Sequence, residues 1–236
     1  MSGLTEGAAS FDVLEPTGDT TAVAVVLGGG RANSFERSDR SQLSAVRMRP
    51  FARLLHRHGR NHGLAVWTVR YRYRGWNGGE RSPVIDTMWA LDEIRRRYGD
   101  VPVALVGHSM GGRTALATGG DPLVRAVCAL APWTESGDPV EQLAGKTVLI
   151  AHGNLDMVTS PRASRGFAER AAVAGARVGY VTVRGDWHAM LFRWPTWNRL
   201  VIGFTLGTLG IKPLPRRIAG VLTRGVAAAD DITAHG

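Results

Sequence analysis

Gly107, His108, Ser109, Met110 and Gly111 set a serine between two glycines, directly after the apolar run VPVALV and before the helix-forming stretch GRTALAT. A serine hydroxyl is a poor nucleophile in water. It becomes a useful one on a sharp strand-to-helix turn, where a base can reach it and backbone N–H groups can meet the anion it generates. Gly107 and Gly111 tolerate the crowding of such a turn, and a helix starting at Met110 aims its N-terminal dipole at that anion. The chemistry indicated is attack on an acyl carbonyl. The base, and the carboxylate that orients it, can lie far off in sequence. Asp156 in HGNLDMVTSP and His188 at the end of GDWH are the candidates.

These residues need a scaffold, and the chain supplies one. Short runs rich in valine and leucine alternate with helix-length amphipathic stretches, the pattern of a parallel sheet with helices on both faces. The predicted strands are TAVAVVL before Gly28, LAVWTVRY from Leu64, VPVALVG before His108, VRAVCALA from Val124, KTVLIAHG from Lys146 and ARVGYVTVRG from Ala176, with a weak edge strand near Phe11 to Leu14. Helices are expected around Arg47 to His58, Pro83 to Tyr98, Met110 to Ala117, Pro161 to Ala174 and Trp194 to Leu209. Ligands of such doubly wound, mostly parallel α/β sheets bind outside the carboxyl ends of the strands. Ser109, Gly28 to Arg31, Asp156 and His188 all follow strands.

GHSMGG, HGNLDMVTSP and GDWH, in the order serine, aspartate, histidine, resemble the α/β-hydrolase superfamily from Thr21 to Leu209, in particular its lidless serine hydrolases of the dienelactone-hydrolase and esterase type. The resemblance implies an α/β-hydrolase fold with Ser109 as nucleophile, Asp156 as acid and His188 as general base. It implies an oxyanion hole from the N–H of Met110 and one from the loop after TAVAVVL, with Gly30 the first choice and Arg31 the second. The family's usual His-Gly pair in that loop is replaced here by Gly28 and Gly29, so a bracing histidine is missing. Other readings stand beside these: Asp156 as a helix N-cap before Pro161, and Asp186 as the acid. The stretch APWTESGDPVEQLAG, where a lid is often inserted, is too short for one, so an open site and small soluble substrates are expected. The reading is a carboxylic ester or thioester hydrolase, with an acyltransferase, thioesterase or cofactor-free haloperoxidase of the same fold as alternatives. No cofactor or metal is expected.

A remote alternative is phosphate binding, because GHSMGGRT matches a phosphate-loop pattern except that Arg113 stands where lysine belongs. Trp76, Trp133 and Trp187 follow strand ends and are candidates to line an acyl pocket, while Trp67 and Trp89 read as core. Arg31, Arg37 and Arg40 read first as solvated loop charge, with a basic rim that favours an acidic substrate as the alternative. His56, His58 and His62 read as a solvated helix end.

The chain of 236 residues, 44% of them apolar, supports one domain over residues 1–211, followed by a loosely packed tail or helix over 212–236. Its net charge of +9 is almost all arginine, with Lys146 and Lys212 the only lysines, and is spread along the chain. Neither nucleic acid nor a membrane is the expected partner; a small-molecule ester or thioester is, and the sequence leaves oligomeric state open. VIGFTLGTLGI is too short to span a bilayer. MSGLTEGAAS lacks the basic and apolar segments of a signal peptide, so a cytoplasmic setting is expected. Cys128, inside AVCALA, reads as a buried inert thiol.

Overall fold

The computed structural model describes residues 8–39, 43–226 and 230–232. Among them runs one sheet of eight strands in the order β1-β3-β2-β4-β5-β6-β7-β8: β1 (Ser10–Leu14), β2 (Ala22–Leu27), β3 (Leu64–Arg70), β4 (Val103–His108), β5 (Val124–Leu130), β6 (Thr147–Gly153), β7 (Arg177–Val183) and β8 (Asp230–Ile232). Only the edge strand β1 is antiparallel, pairing Ser10 with Arg70 and Leu14 with Val66. Six helices cover the sheet: α1 (Leu43–Gly59), α2 (Ser82–Tyr98), α3 (Met110–Thr118), α4 (Pro161–Val173), α5 (Trp194–Thr208) and α6 (Arg216–Arg224).

Alternation along each strand divides the core in two. Val23, Val25, Leu27 and Leu105 face α2, α3 and α4, meeting Leu91, Leu116 and Phe167. Ala24, Val26 and Val106 face α1, α5 and α6, meeting Leu55, Phe204 and Leu222. Burial on both faces is why the central strands read as unbroken apolar runs rather than as alternating ones.

In the segment expected as a loosely packed tail or helix, residues 216–224 form a helix, and it is packed rather than loose. Helix α6 buries Ile218, Val221 and Leu222 against the sheet, and β8 adds a parallel strand to β7. These apolar residues recur at the spacing of one helical stripe, so an otherwise arginine-rich segment has a face to bury. Between β5 and β6 lies only a loop with a short 3-10 turn, Glu141–Leu143, and no lid. No helix among the described residues is long and apolar enough to cross a membrane.

Candidate active site

Ser109 sits between the end of β4 and the first turn of α3, with φ 57° and ψ −119°, a strained backbone for a residue bearing a Cβ. The two flanking glycines permit it. A Cβ on Gly107 would lie 2.1 Å from the carbonyl oxygen of Gly111, and one on Gly111 would lie 2.4 Å from that of Leu27. The turn is tied down from β5, because Ser109 N–H donates to Leu130 O (3.0 Å) and Ser109 O accepts from Trp133 N–H (3.1 Å).

Ser109, His188 and Asp156 come together in one chain of hydrogen bonds. The Ser109 hydroxyl lies 3.0 Å from His188 Nε2, and His188 Nδ1 lies 2.7 Å from Asp156 Oδ2. Asp156 follows β6 and His188 follows β7, so all three project from carboxyl ends of neighbouring strands. Burial opposes ionisation of Asp156. Donors from His152, His188, Thr159 and Val158 outweigh it and hold the carboxyl well below the usual carboxylate range. Asp156 is not the N-cap of α4; Ser160 is, its hydroxyl accepting from Ala163 N–H at 3.1 Å.

Asp186 is not the acid either. Its carboxylate is fully buried and accepts from the N–H groups of Trp187 (2.8 Å), Phe192 (3.3 Å) and Arg193 (2.9 Å) and from the indole of Trp197 (2.8 Å). It folds the loop that carries His188. Arg47 supports the same loop by donating to the carbonyl of Ala189.

Of the two candidates for the loop-borne oxyanion donor, Arg31 drops out because its N–H is spent on Arg74 O (2.8 Å). Gly30 stays beside Met110: a Cβ there would lie 2.4 Å from Met110 Cε. Gly29 faces the nucleophile, its hypothetical Cβ 3.3 Å from Ser109 Cβ and 3.5 Å from His108 Nδ1. A histidine therefore does lie against this loop, supplied by the elbow rather than by the loop.

Sequence reasoning passed over three polar residues here. His108 is buried, its Nε2 donating to the carbonyl of His188 (2.9 Å) and its ring 4.7 Å from that of His188. Burial, then the neighbouring His188, lowers its pKa to about 3, so it is neutral. His152 Nε2 donates to Asp156 Oδ2 (3.1 Å), and its Nδ1 meets the Ser164 hydroxyl (2.7 Å). This second Ser-His-Asp arrangement is not a second active site, because Ser164 is fully buried and also bonded to Pro161 O. Thr159 donates to Asp156 Oδ2 (2.9 Å). His152 and Thr159 lie within HGNLDMVTSP itself, the available signal; His108 adjoins the nucleophile.

Arg113, the residue that a phosphate-loop reading needs free, is buried and committed. Its guanidinium lies over the rings of both Trp76 (4.3 Å) and Trp133 (4.4 Å) and pairs with Asp138 (2.6 Å) and Glu135 (2.8 Å). Trp76 and Trp133 thus pack around an arginine, and with Ala32 and Asn33 they line a cavity of about 400 Å³. Trp187 is about half exposed beside Phe192, and Arg31 is exposed. Of the three arginines read as loop charge, Arg40 lies outside the described residues. Burial pushes the Cys128 thiol up to about 12, and His56 donates to Glu15 O (2.8 Å).

A strand-to-helix serine joined to a histidine and an aspartate from two later strand ends, on an eight-stranded mostly parallel sheet, agrees with the comparison by sequence: the chain belongs to the alpha/beta hydrolase family, whose model matches residues 25–234. Est1E from Butyrivibrio proteoclasticus shares the fold at a TM-score of 0.61 and 13% identity, over 86% of this chain and 95% of that one. The esterase of Pyrobaculum calidifontis is similar at 0.64 and 17%, over 86% and 81%. XC6422 of Xanthomonas campestris, described as a serine hydrolase without lid, gives 0.58 and 16%, over 82% and 86%. A curated protein, the lysophosphatidylserine lipase ABHD12 of Gallus gallus, is 39% identical over 70 residues, a stretch spanning 28% of this chain and 17% of the relative.

Proposed function

We propose that this protein is a serine hydrolase that cleaves a carboxylic ester through an acyl-enzyme on Ser109. The observation that carries the reading is the pair of contacts at 3.0 Å and 2.7 Å that link Ser109 Oγ, His188 and Asp156 in line. His188 Nε2 takes the hydroxyl proton as Ser109 Oγ bonds to the acyl carbon. The N–H groups of Met110 and Gly30 hold the resulting oxyanion, and the Asp156 carboxylate stabilises the imidazolium through Nδ1–H. Collapse of the intermediate breaks the bond to the alcohol oxygen, which leaves with the proton from Nε2. Water, activated by the same nitrogen, then attacks the acyl-enzyme, releases the carboxylic acid and returns the proton to Ser109. The His188 side chain is 18% exposed, which leaves an approach for that water.

The cavity lined by Trp76 and Trp133 is the proposed seat of one substrate arm, because the Trp133 backbone bonds directly to that of Ser109. Similar proteins named as an esterase and as a lysophosphatidylserine lipase favour an oxygen ester over a thioester. The test is labelling with a fluorophosphonate, followed by peptide mapping. A single adduct on Ser109 is expected, with labelling at least about 10³-fold slower in His188→Ala. An adduct elsewhere, or labelling unaffected by His188→Ala, would overturn the assignment.

A further inference from the structure

Apolar side chains of unusual exposure gather on the two loops that carry Asp156 and His188. On the first, Leu155 is 45%, Met157 92% and Val158 74% exposed. On the second, Trp187 is 52%, Leu191 62% and Phe192 69% exposed, and Trp194 at the start of α5 is 60% exposed. The loops form one surface: Leu155 N–H donates to Asp186 O (3.1 Å), Gly185 N–H donates to Asn154 Oδ1 (2.7 Å), and the Trp187 and Phe192 rings lie 6.2 Å apart. The exposure is built in. Asp186 holds the backbone N–H groups of residues 187, 192 and 193 on its buried carboxylate, which fixes the loop on which Trp187, Leu191 and Phe192 are exposed. Monomeric soluble proteins seldom leave such a patch bare without a use for it.

The exposed charge on these two segments has one sign. Within residues 154–165 and 184–199 the only acids, Asp156 and Asp186, are buried, and the exposed charged residues are Arg162, Arg184 and Arg199. Tryptophan, phenylalanine and leucine set among arginines match the layered chemistry of an anionic lipid surface, apolar within and negative at the headgroups. We propose that this face docks on anionic bilayers and so presents the mouth of the Ser109 site to amphiphilic esters held in them. The substrate part of this inference rests on the hydrolase reading above; the docking part does not. The proposal departs from the expectation of small soluble substrates, which was drawn from the short β5–β6 connection.

The experiment uses the full chain as Ser109→Ala, so that vesicle binding is read without hydrolysis and separately from fluorophosphonate labelling of the unsubstituted protein. Flotation with phosphatidylglycerol–phosphatidylcholine vesicles should carry the protein upward, and phosphatidylcholine alone should carry much less. Added salt should weaken binding. The triple change Met157→Ser, Leu191→Ser and Phe192→Ser should lower the partition constant more than about tenfold. Arg162→Glu with Arg199→Glu should lower it too, which covers the case that the triple variant does not fold. Quenching of tryptophan emission by lipids brominated on their acyl chains needs no variant and is expected through Trp187 and Trp194. Absence of flotation on anionic vesicles would overturn the proposal. So would binding indifferent to both sets of changes, or a dimer dissolved by the triple change while vesicle binding persists.

Discussion

Two aspartates near His188 divide the work of a catalytic loop. Asp156 meets the imidazole, whereas Asp186 meets only backbone N–H groups and an indole. Asp156→Asn should therefore cut kcat by about 10⁴ through loss of the correct imidazole tautomer. Asp186→Asn presents an NH₂ to buried donors, which should destabilise the fold by about 1–3 kcal/mol in urea titration while the folded fraction still labels on Ser109. The reverse pattern would make Asp186 the acid. His108 adds a pH signature. Held near a pKa of about 3 when folded, it stays neutral while the unfolded chain, at the ordinary 6.5, takes up a proton. Stability is thus complete above that ordinary value and lost as pH falls toward 3, by up to about 1.4 kcal/mol per unit. Asp156, held low when folded, acts in the same direction at lower pH. Urea midpoints between neutral pH and pH 5 should fall less steeply in His108→Gln, and an unchanged slope would reject this account.

At the scale of elements, the turn around Ser109 is the most demanding piece of backbone. Gly107→Ala puts a Cβ on the Gly111 carbonyl, and no side chain is there to yield, only the two main chains of β4 and α3. The expected cost exceeds about 3 kcal/mol, to be read as lost soluble expression or a lowered Tm. A variant as stable as the parent would mean that the elbow is loosely packed. The elbow, the six central strands and the order of serine, acid and base were readable because each depends on local pattern: β-branched runs, glycines at a turn, a polar residue at a strand end. Arg113, His152 and Asp186 were not. Their partners are the rings of Trp76 and Trp133, the carboxylate of Asp156 and the amides of a folded loop, all fixed by tertiary placement. The preference for Gly30 over Arg31 was already drawn from the sequence, and the backbone bond from Arg31 N–H to Arg74 O agrees with it.

For the molecule as a whole, the decisive contact is between the sheet's far half and the segment after α5. Helix α6 lies on β7, and Gly179 is the reason it comes so close: a Cβ there would lie 2.8 Å from Val221 Cγ1. The stripe of Ile218, Val221 and Leu222 was present in the sequence as a helical repeat, but its arginine-rich surroundings hid it. Burying three aliphatic side chains contributes about 1.5–3 kcal/mol each, comparable in sum with the 5–15 kcal/mol that holds a typical domain together. Truncation after Ile211 should thus leave β7 bare on one face and along one edge, giving a chain that aggregates instead of unfolding cooperatively. Leu222→Ala is the graded form of the same experiment. It should cost about 2–5 kcal/mol in urea titration while leaving fluorophosphonate labelling of the folded fraction at Ser109 unchanged, because α6 packs on the sheet rather than on the triad. A truncated chain that kept its Tm would show that the sheet needs no cover there.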